Sequence, residues 1–408
     1  MASEWTRTSL REAGVSLIDC DHRTPPAADS GHPYVAIPQL KQGRLDLSGV
    51  RRISHEHFVG WTRKAKPQYH DVILSRRCNP GETAYVPSGL ECALGQNLVL
   101  LRADGTKLFP PFLRWLVRGP DWWEQVGHFI NVGAVFDSLK CADIPNFRMP
   151  LPPLAEQRAI ANILGVLDDK IELNRRMNET LEGLARAIFQ SWFVDFDPVR
   201  AQRDGLPPPA LSPATAALFP DSFEDSELGK IPQGWKVRNI GEIADINYGK
   251  NLAQREYSTS FGVPVYGAAG IVGHYHETMF SEPVVLVTSR GSGSGTVHQT
   301  FGASFVTNNS FSVIPKDEWL GRHFLRYSLL DSDILSFVTG SAQPQLTITN
   351  FSALRLLSPS RPVLERFQQL VDPMWLKATA NRNEAQRIAA IRDALLPKLL
   401  SGEIRVGQ

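Results

Sequence analysis

The chain has 408 residues, 42% hydrophobic and 21% charged, with 43 basic against 42 acidic side chains for a net charge of +1. That length supports two or three domains, each with its own core, and the composition excludes a disordered chain and a strongly basic arm. A nucleic-acid groove stays open to it, because a groove needs only local clusters of Lys and Arg.

The opening MASEWTRTSL has no apolar signal core, and no run of about 18 apolar residues occurs, so a soluble cytoplasmic protein without a membrane partner is expected. Cys20, Cys78, Cys92 and Cys141 show no C-x-x-C spacing and read as reduced thiols. Residues 1–150 carry short strand-like runs, DVILSRR, YVPSG and QNLVLLRA, and then the amphipathic PPFLRWLVRGPDWWEQVG. Arg51, Arg52, Arg63, Lys64 and Lys66, with only Glu56 against them, are either a DNA-facing cluster or a solvated loop face. His55 and His57 in SHEHF stand two apart, the wrong spacing for a helical zinc pair. The segment CNPGE at 78–82 lacks the paired prolines and aromatic with which amino-methyltransferases grip a flipped base.

Residues 151–198 predict one long helix. Ile160, Leu164, Leu167, Ile171, Asn174, Asn178, Leu181, Ala185, Ile188 and Trp192 recur at spacings of four and three, which is a heptad seam. From Leu154 to Trp192 such a helix is roughly 58 Å long. Trp192, Phe193 and Phe196 are excessive for a two-helix seam and read either as packing under a globular unit or as a docking surface for a partner. Residues 199–230, with three consecutive prolines at 207–209, predict an extended linker of about 30 residues.

Residues 231–358 repeat the first pattern with PVVLVTSRG, ASFVTNNSFSVIP and GRHFLRYSLLDSDILSFV. GSGSG at 291–295 follows a strand-like run but precedes no phosphate-binding helix, so a turn that brings backbone and Arg290 to DNA is the better reading. No G-x-x-x-x-G-K-[ST] occurs. Residues 359–408 predict a second long helix. At an offset of 207, Ile160 meets Phe367, Leu164 meets Val371, Leu167 meets Met374, Asn174 meets Asn381, Leu181 meets Ile388 and Ile188 meets Leu395. Ser75-Arg76 aligns with Ser289-Arg290, and FLRWL with FLRYS. The chain is thus a tandem duplication of α+β class, two globular domains and two long helices related by a pseudo-two-fold axis. Neither helix can leave its seam exposed, so the two are expected to pair antiparallel, with Asn174 and Asn381 fixing register.

LPPLAEQRAIANILGVLDDKIELNRRMNETLEGLARAIFQSWFVDFDPV, DSELGKIPQGW at Asp225 to Trp235 and DALLPKLLSGEIRV near the C-terminus resemble the specificity subunit of type I restriction–modification enzymes. The resemblance implies two target-recognition domains that read the halves of a split double-stranded DNA site, and spacer helices that dock two methyltransferase subunits. Motor and endonuclease subunits complete such complexes. S-adenosylmethionine, ATP and Mg would belong to the partners, and this chain would hold no catalytic residue and no metal. Arg favours guanine, and Asn or Gln favours adenine, because their forks match base edges. The DNA-contact candidates are accordingly Arg51, Arg52, Lys64, Lys66, Arg76 and Arg77 in the first half. In the second they are Lys250, Arg290, Ser292, Ser294, Asn308, Asn309, Gln343 and Gln345. The rivals are a stand-alone methyltransferase or nuclease with duplicated domains, and a coiled-coil scaffold without DNA.

Overall fold

The computed structural model describes residues 5–133, 135–208, 210–258, 261–340 and 343–406. The chain divides into two units: one ends at Leu173 and resumes at Glu384, the other runs Asn174–Asn383.

The first unit is built on an antiparallel sheet of β1 (Val15–Asp19), β2 (Val72–Ser75), β3 (Thr83–Tyr85) and β4 (Leu98–Ala103), in the order β1-β4-β2-β3. Strand side chains alternate between faces. Val72, Leu74, Val99 and Leu101 therefore face one core with Phe112, Leu113 and Trp115, while Ile73, Leu98 and Leu100 face a second core with Val35, Ala84 and Cys92. Both faces are buried, which is why these strands read as continuous apolar runs in the sequence.

The second unit repeats the design with β5 (Ala244–Tyr248), β6 (Val285–Thr288), β7 (Val297–Gln299) and β8 (Ser310–Pro315), in the order β5-β8-β6-β7. Val285, Val287, Phe311 and Val313 face one core, Leu286 and Val306 the other. In each unit a three-stranded sheet also holds one parallel pair, Tyr34 with Ala93 and Val265 with Phe305. Equal strand order and equal parallel pairing make the duplication structural.

The central helix spans Leu154–Phe189 and the C-terminal helix Arg361–Ser401. At 36 and 41 residues they are about 54 and 61 Å long. Within the first unit, Asp168 meets Arg392 at 2.6 Å and Lys170 meets Glu384 at 3.2 Å, while Glu156 meets Arg405, just past the C-terminal helix, at 3.1 Å. Numbers that rise on one helix fall on the other, so the helices run antiparallel. Within the second unit the same sense holds, with Asn178 against Asn381 at 3.0 Å and Phe189 against Phe367. The seam residues expected from the heptads are all buried or half-buried: Ile160, Leu164, Asn174, Phe367, Val371 and Asn381 lie deepest, and Leu167, Ile171, Leu181, Ile188, Met374, Ile388 and Leu395 lie at the margin. Buried Asn381 donates to the Asn178 amide oxygen, and Asn174 is buried one turn away on the same seam. Asn178 also donates to the Ala378 carbonyl at 3.1 Å.

Two expectations change. The segment 199–230 is folded, not extended. Asp197–Arg203 and Pro213–Ala216 are short helices, Phe223–Ser226 pairs with Gly229–Pro232, and Val199, Thr215 and Phe219 are buried. Pro213 opens a helical turn where a missing N–H costs nothing, and Val199 and Phe219 anchor the segment to the second core. Pro209 lies outside the described residues. The aromatic end is core, not surface. The central helix closes on a π-turn, Gln190–Val194, whose extra residue per turn directs both Trp192 and Phe193 inward, at 3% and 5% exposure. Half-buried Phe196, at φ +56, breaks the helix and packs on Phe223 and Trp235. Trp192 and Phe193 offer a partner no free face because the second core needs them.

Candidate nucleic-acid interface

At one end of the second sheet, backbone hydrogen bonds gather four loop segments. Ser289 N–H donates to the Asn309 carbonyl (2.8 Å), Leu346 N–H to that of Ser289 (2.8 Å), and Gly291 N–H to that of Pro344 (3.0 Å). Arg290 and Gln345 face each other as an isolated bridge. Asn308 N–H donates to the Lys250 carbonyl (3.0 Å), and Lys250 N–H to that of Val306 (2.9 Å). A Cβ at Gly249 would lie 2.2 Å from the Thr307 carbonyl oxygen, so only glycine lets that strand come close enough.

The tip thus collects Lys250, Arg290, Ser292, Asn308, Asn309, Gln343 and Gln345. None of their side chains makes a hydrogen bond or ion pair among the described residues. Lys250, Arg290, Ser292, Asn309 and Gln343 are exposed, and Asn308 and Gln345 half-buried. Polar groups held in place yet unpartnered are what a ligand edge can use. Ser294 differs. It is 5% exposed, and its hydroxyl is given to the Gly291 and Pro344 carbonyls at 2.8 and 2.9 Å, so it closes the turn instead of facing outward. A strand, β7, follows this glycine turn, so no helix N-terminus stands there for a phosphate.

The first unit carries the same tip, and its register settles which residues correspond. Leu98 pairs with Ser75, and Ser310 with Thr288. Hence Arg76 matches Ser289 and Arg77 matches Arg290, one residue on from the sequence alignment. Arg76 N–H donates to the Asn97 carbonyl (2.9 Å), Leu139 N–H to that of Arg76 (2.8 Å), and Arg77 bridges Ser138. Cys78 takes φ +65 where Gly291 takes +91. Exposed Arg77 stacks over the Phe136 ring at 5.5 Å, whereas the Nε of half-buried Arg76 is turned inside.

The basic cluster is a separate feature. Arg51 donates to the Pro25 carbonyl at 2.6 Å and Arg52 to that of Gly31 at 2.7 Å, so both brace loops. Lys66 lies 3.7 Å from Glu91 and over the Phe58 ring, and Lys64 is exposed. Of these, Arg51 also lines an open cleft of about 610 Å³ with Gln39, Gln96 and Asn97. The last two are absent from the sequence-derived candidates. The signal was present, since Gln96-Asn97 opens β4 as Asn308-Asn309 opens β8.

The histidines that the sequence singles out, and the one close Asp–Cys–His group among the described residues, are otherwise engaged. His55 Nδ1 is 3.1 Å from His32 Nε2, and His57 Nδ1 is 3.0 Å from the Ser54 hydroxyl. Asp19, Cys20 and His22 lie close together, but His22 Nδ1 donates to the Gln96 carbonyl (2.8 Å) while Nε2 faces Asp19 (3.0 Å). The Cys20 thiol donates to the Gly95 carbonyl at 3.1 Å, and burial pushes it up to about 11, so no thiolate stands ready there. Among the described residues no helix is long and apolar enough to cross a membrane.

Comparison with known proteins agrees with this doubled design. The family described as type I restriction modification DNA specificity domain matches twice, at residues 22–183 and 232–372. The chain is 28% identical over 357 residues to the type I restriction enzyme MjaIX specificity subunit of Methanocaldococcus jannaschii, covering 82% of this chain and 78% of that one. It is 26% identical over 402 residues to the HindI specificity subunit of Haemophilus influenzae, covering 82% and 86%. Its fold is similar to the crystal structure of the S subunit of a type I restriction–modification system from M. genitalium, with TM-score 0.61 at 18% identity over 97% of this chain and 96% of that one. The matched domain is a DNA specificity domain, not a catalytic one. A DNA specificity domain matched twice along the chain, with relatives that are themselves specificity subunits, shows that the chain belongs to the type I restriction–modification DNA specificity family, as a non-catalytic specificity subunit.

Proposed function

We propose that residues 1–150 and 231–358 are target-recognition domains that each read one half of an asymmetric, split DNA site in the major groove. The helical segments 151–198 and 359–408 set the number of unspecified base pairs between the halves and dock two methyltransferase subunits. Those partners supply S-adenosylmethionine and adenine methylation, and motor-endonuclease subunits supply ATP-driven cleavage. What carries this reading is one observation: the same tip is built twice with different side chains on it. Two identical tips suit a palindrome, and two diverged ones suit an asymmetric target. The antiparallel seam supports the spacer role, since such a pair resists bending and slippage better than a loop.

The test is to sequence methylated adenines in DNA from cells carrying this chain with its partner subunits. A two-part asymmetric motif with a fixed gap is expected, and a continuous or palindromic motif refutes the reading. Arg77→Ala and Arg290→Ala should each cost about 1–3 kcal/mol of affinity at one half of the motif and leave the other half unchanged.

A further inference from the structure

We propose that Gln96 and Asn97 are the base-reading amides of the first unit, the counterparts of Asn308 and Asn309 in the second. The proposal rests on the reading of each tip as a DNA-recognition surface and adds the residues that fix specificity there. Strand register makes the match: Leu98 opposite Ser75 and Ser310 opposite Thr288 place Gln96 with Asn308 and Asn97 with Asn309. The surrounding hydrogen bonds repeat as well. Asn97 and Asn309 each accept from the residue after their neighbouring strand, Arg76 N–H at 2.9 Å and Ser289 N–H at 2.8 Å. The loop beside each tip closes through the same reciprocal pair, Asn131 with Ser138 and Thr339 with Gln345.

The local chemistry points the same way. Three consecutive carbonyls are held: Gly95 by the Cys20 thiol (3.1 Å), Gln96 by His22 Nδ1 (2.8 Å) and Asn97 by Arg76 N–H (2.9 Å). A segment held at three consecutive carbonyls presents its side chains without the entropy cost of ordering its backbone on binding. Gln96 is exposed and Asn97 half-buried, and both line the open cleft with Arg51. One N–H of the Gln96 amide goes to Thr24 Oγ1 at 2.7 Å, which orients the fork and leaves its oxygen and second N–H for a base edge. The Asn97 amide makes no hydrogen bond among the described residues. An amide fork matches adenine N6 and N7 in the major groove, and Arg77 beside it matches guanine. His22 acts through the Gln96 carbonyl and is a positioning residue.

The test uses the chain assembled with its methyltransferase partners. Affinity is measured on duplexes altered one base pair at a time, and the methylated motif is sequenced for Gln96→Ala, Asn97→Ala, the near-isosteric Gln96→Glu and Asn97→Asp, and Arg77→Ala. Either amide variant should bind the wild-type site about 5- to 150-fold more weakly and relax one or two positions in the first unit's half of the motif only. If the alanine variants unfold, the Glu and Asp variants decide, because they keep size and remove the amide donor. Wild-type affinity and an unchanged motif in both amide variants, with Arg77→Ala altering its half, overturn the assignment and leave the reading of the tip intact. A wild-type complex that shows no split motif overturns the reading of the tip itself.

Discussion

His323 shows how a single side chain ties this fold to pH. It is 1% exposed, stacks on Trp375 at 4.8 Å and sets Nε2 3.4 Å from Asp372. Burial, then the charges of Arg322 and Arg326, push it down to about 3. In the unfolded chain a histidine takes its proton near pH 6.5. Below that pH the unfolded state binds a proton that the folded state refuses, so stability falls as pH drops from about 6.5 toward 3. The slope contributed by this group is roughly 1.4 kcal/mol per pH unit. Urea unfolding between pH 6.5 and 5, above most carboxylate titrations, should show that slope added to those of His70 and His298, which burial also depresses, and His323→Gln should reduce it. An equal slope in the variant would place the titration elsewhere. Gly249 is the opposite kind of residue, fixed by backbone and not by side chain. Gly249→Ala should disorder Lys250 and Asn308 and weaken recognition of the second half-site, read as DNA affinity with the fold's melting point as control.

Among the elements, the long helices are bound to their units by buried charge as well as by the seam. Asp168, 1% exposed on the central helix, receives Arg392 at 2.6 Å, Arg44 at 2.8 Å and Arg114 at 3.8 Å. Burial works against its charge, yet Arg44, Arg114 and Arg392 hold the carboxyl below its usual range. In the second unit Arg326, the counterpart of Arg114 in the FLR repeat, reaches Glu182 on the same helix at 2.8 Å. Removing one partner from a buried ion cluster leaves the others uncompensated. Asp168→Asn should therefore cost about 3–5 kcal/mol of unfolding free energy, measured by urea denaturation. A loss below about 1 kcal/mol would mean that solvent already reaches the cluster. Because the folded carboxyl is depressed, its contribution is complete above the unfolded value near pH 3.9 and lost as acid titrates through the folded one.

For the whole molecule, the proposal that paired helices set the gap between half-sites predicts a change in length, not in sequence, when the helices grow. One heptad added at the midpoint of each helix lengthens it by about 10.5 Å. At about 3.4 Å per base pair, the unspecified stretch should grow by roughly three pairs with both half-sites unchanged. The methylated motif reports this directly, and an unchanged gap would remove the helices from that role. Binding should also weaken steeply with salt, because phosphate contacts release counterions.

The heptads of 151–198 and 359–408, the repeat at an offset of 207 and the α+β pattern were legible because burial periodicity is written locally: one face of a helix, both faces of a sheet strand. Antiparallel pairing followed, since neither seam can stand exposed. The inward turn of Trp192 and Phe193 depends on a π-turn, and the packing of 199–230 on where Val199 and Phe219 find a core. Neither is set by nearest neighbours. Specificity was the least legible part. Arg51, Arg52, Lys66 and Ser294 look as available in sequence as Arg77, Arg290 and Asn309. Only the folded chain shows which polar groups are taken by nearby carbonyls, a carboxylate or a ring, and which are left facing outward. Gln96 and Asn97 gain meaning only through the pairing of Leu98 with Ser75, because a hydrogen-bond ladder, not spacing along the chain, decides what stands beside what.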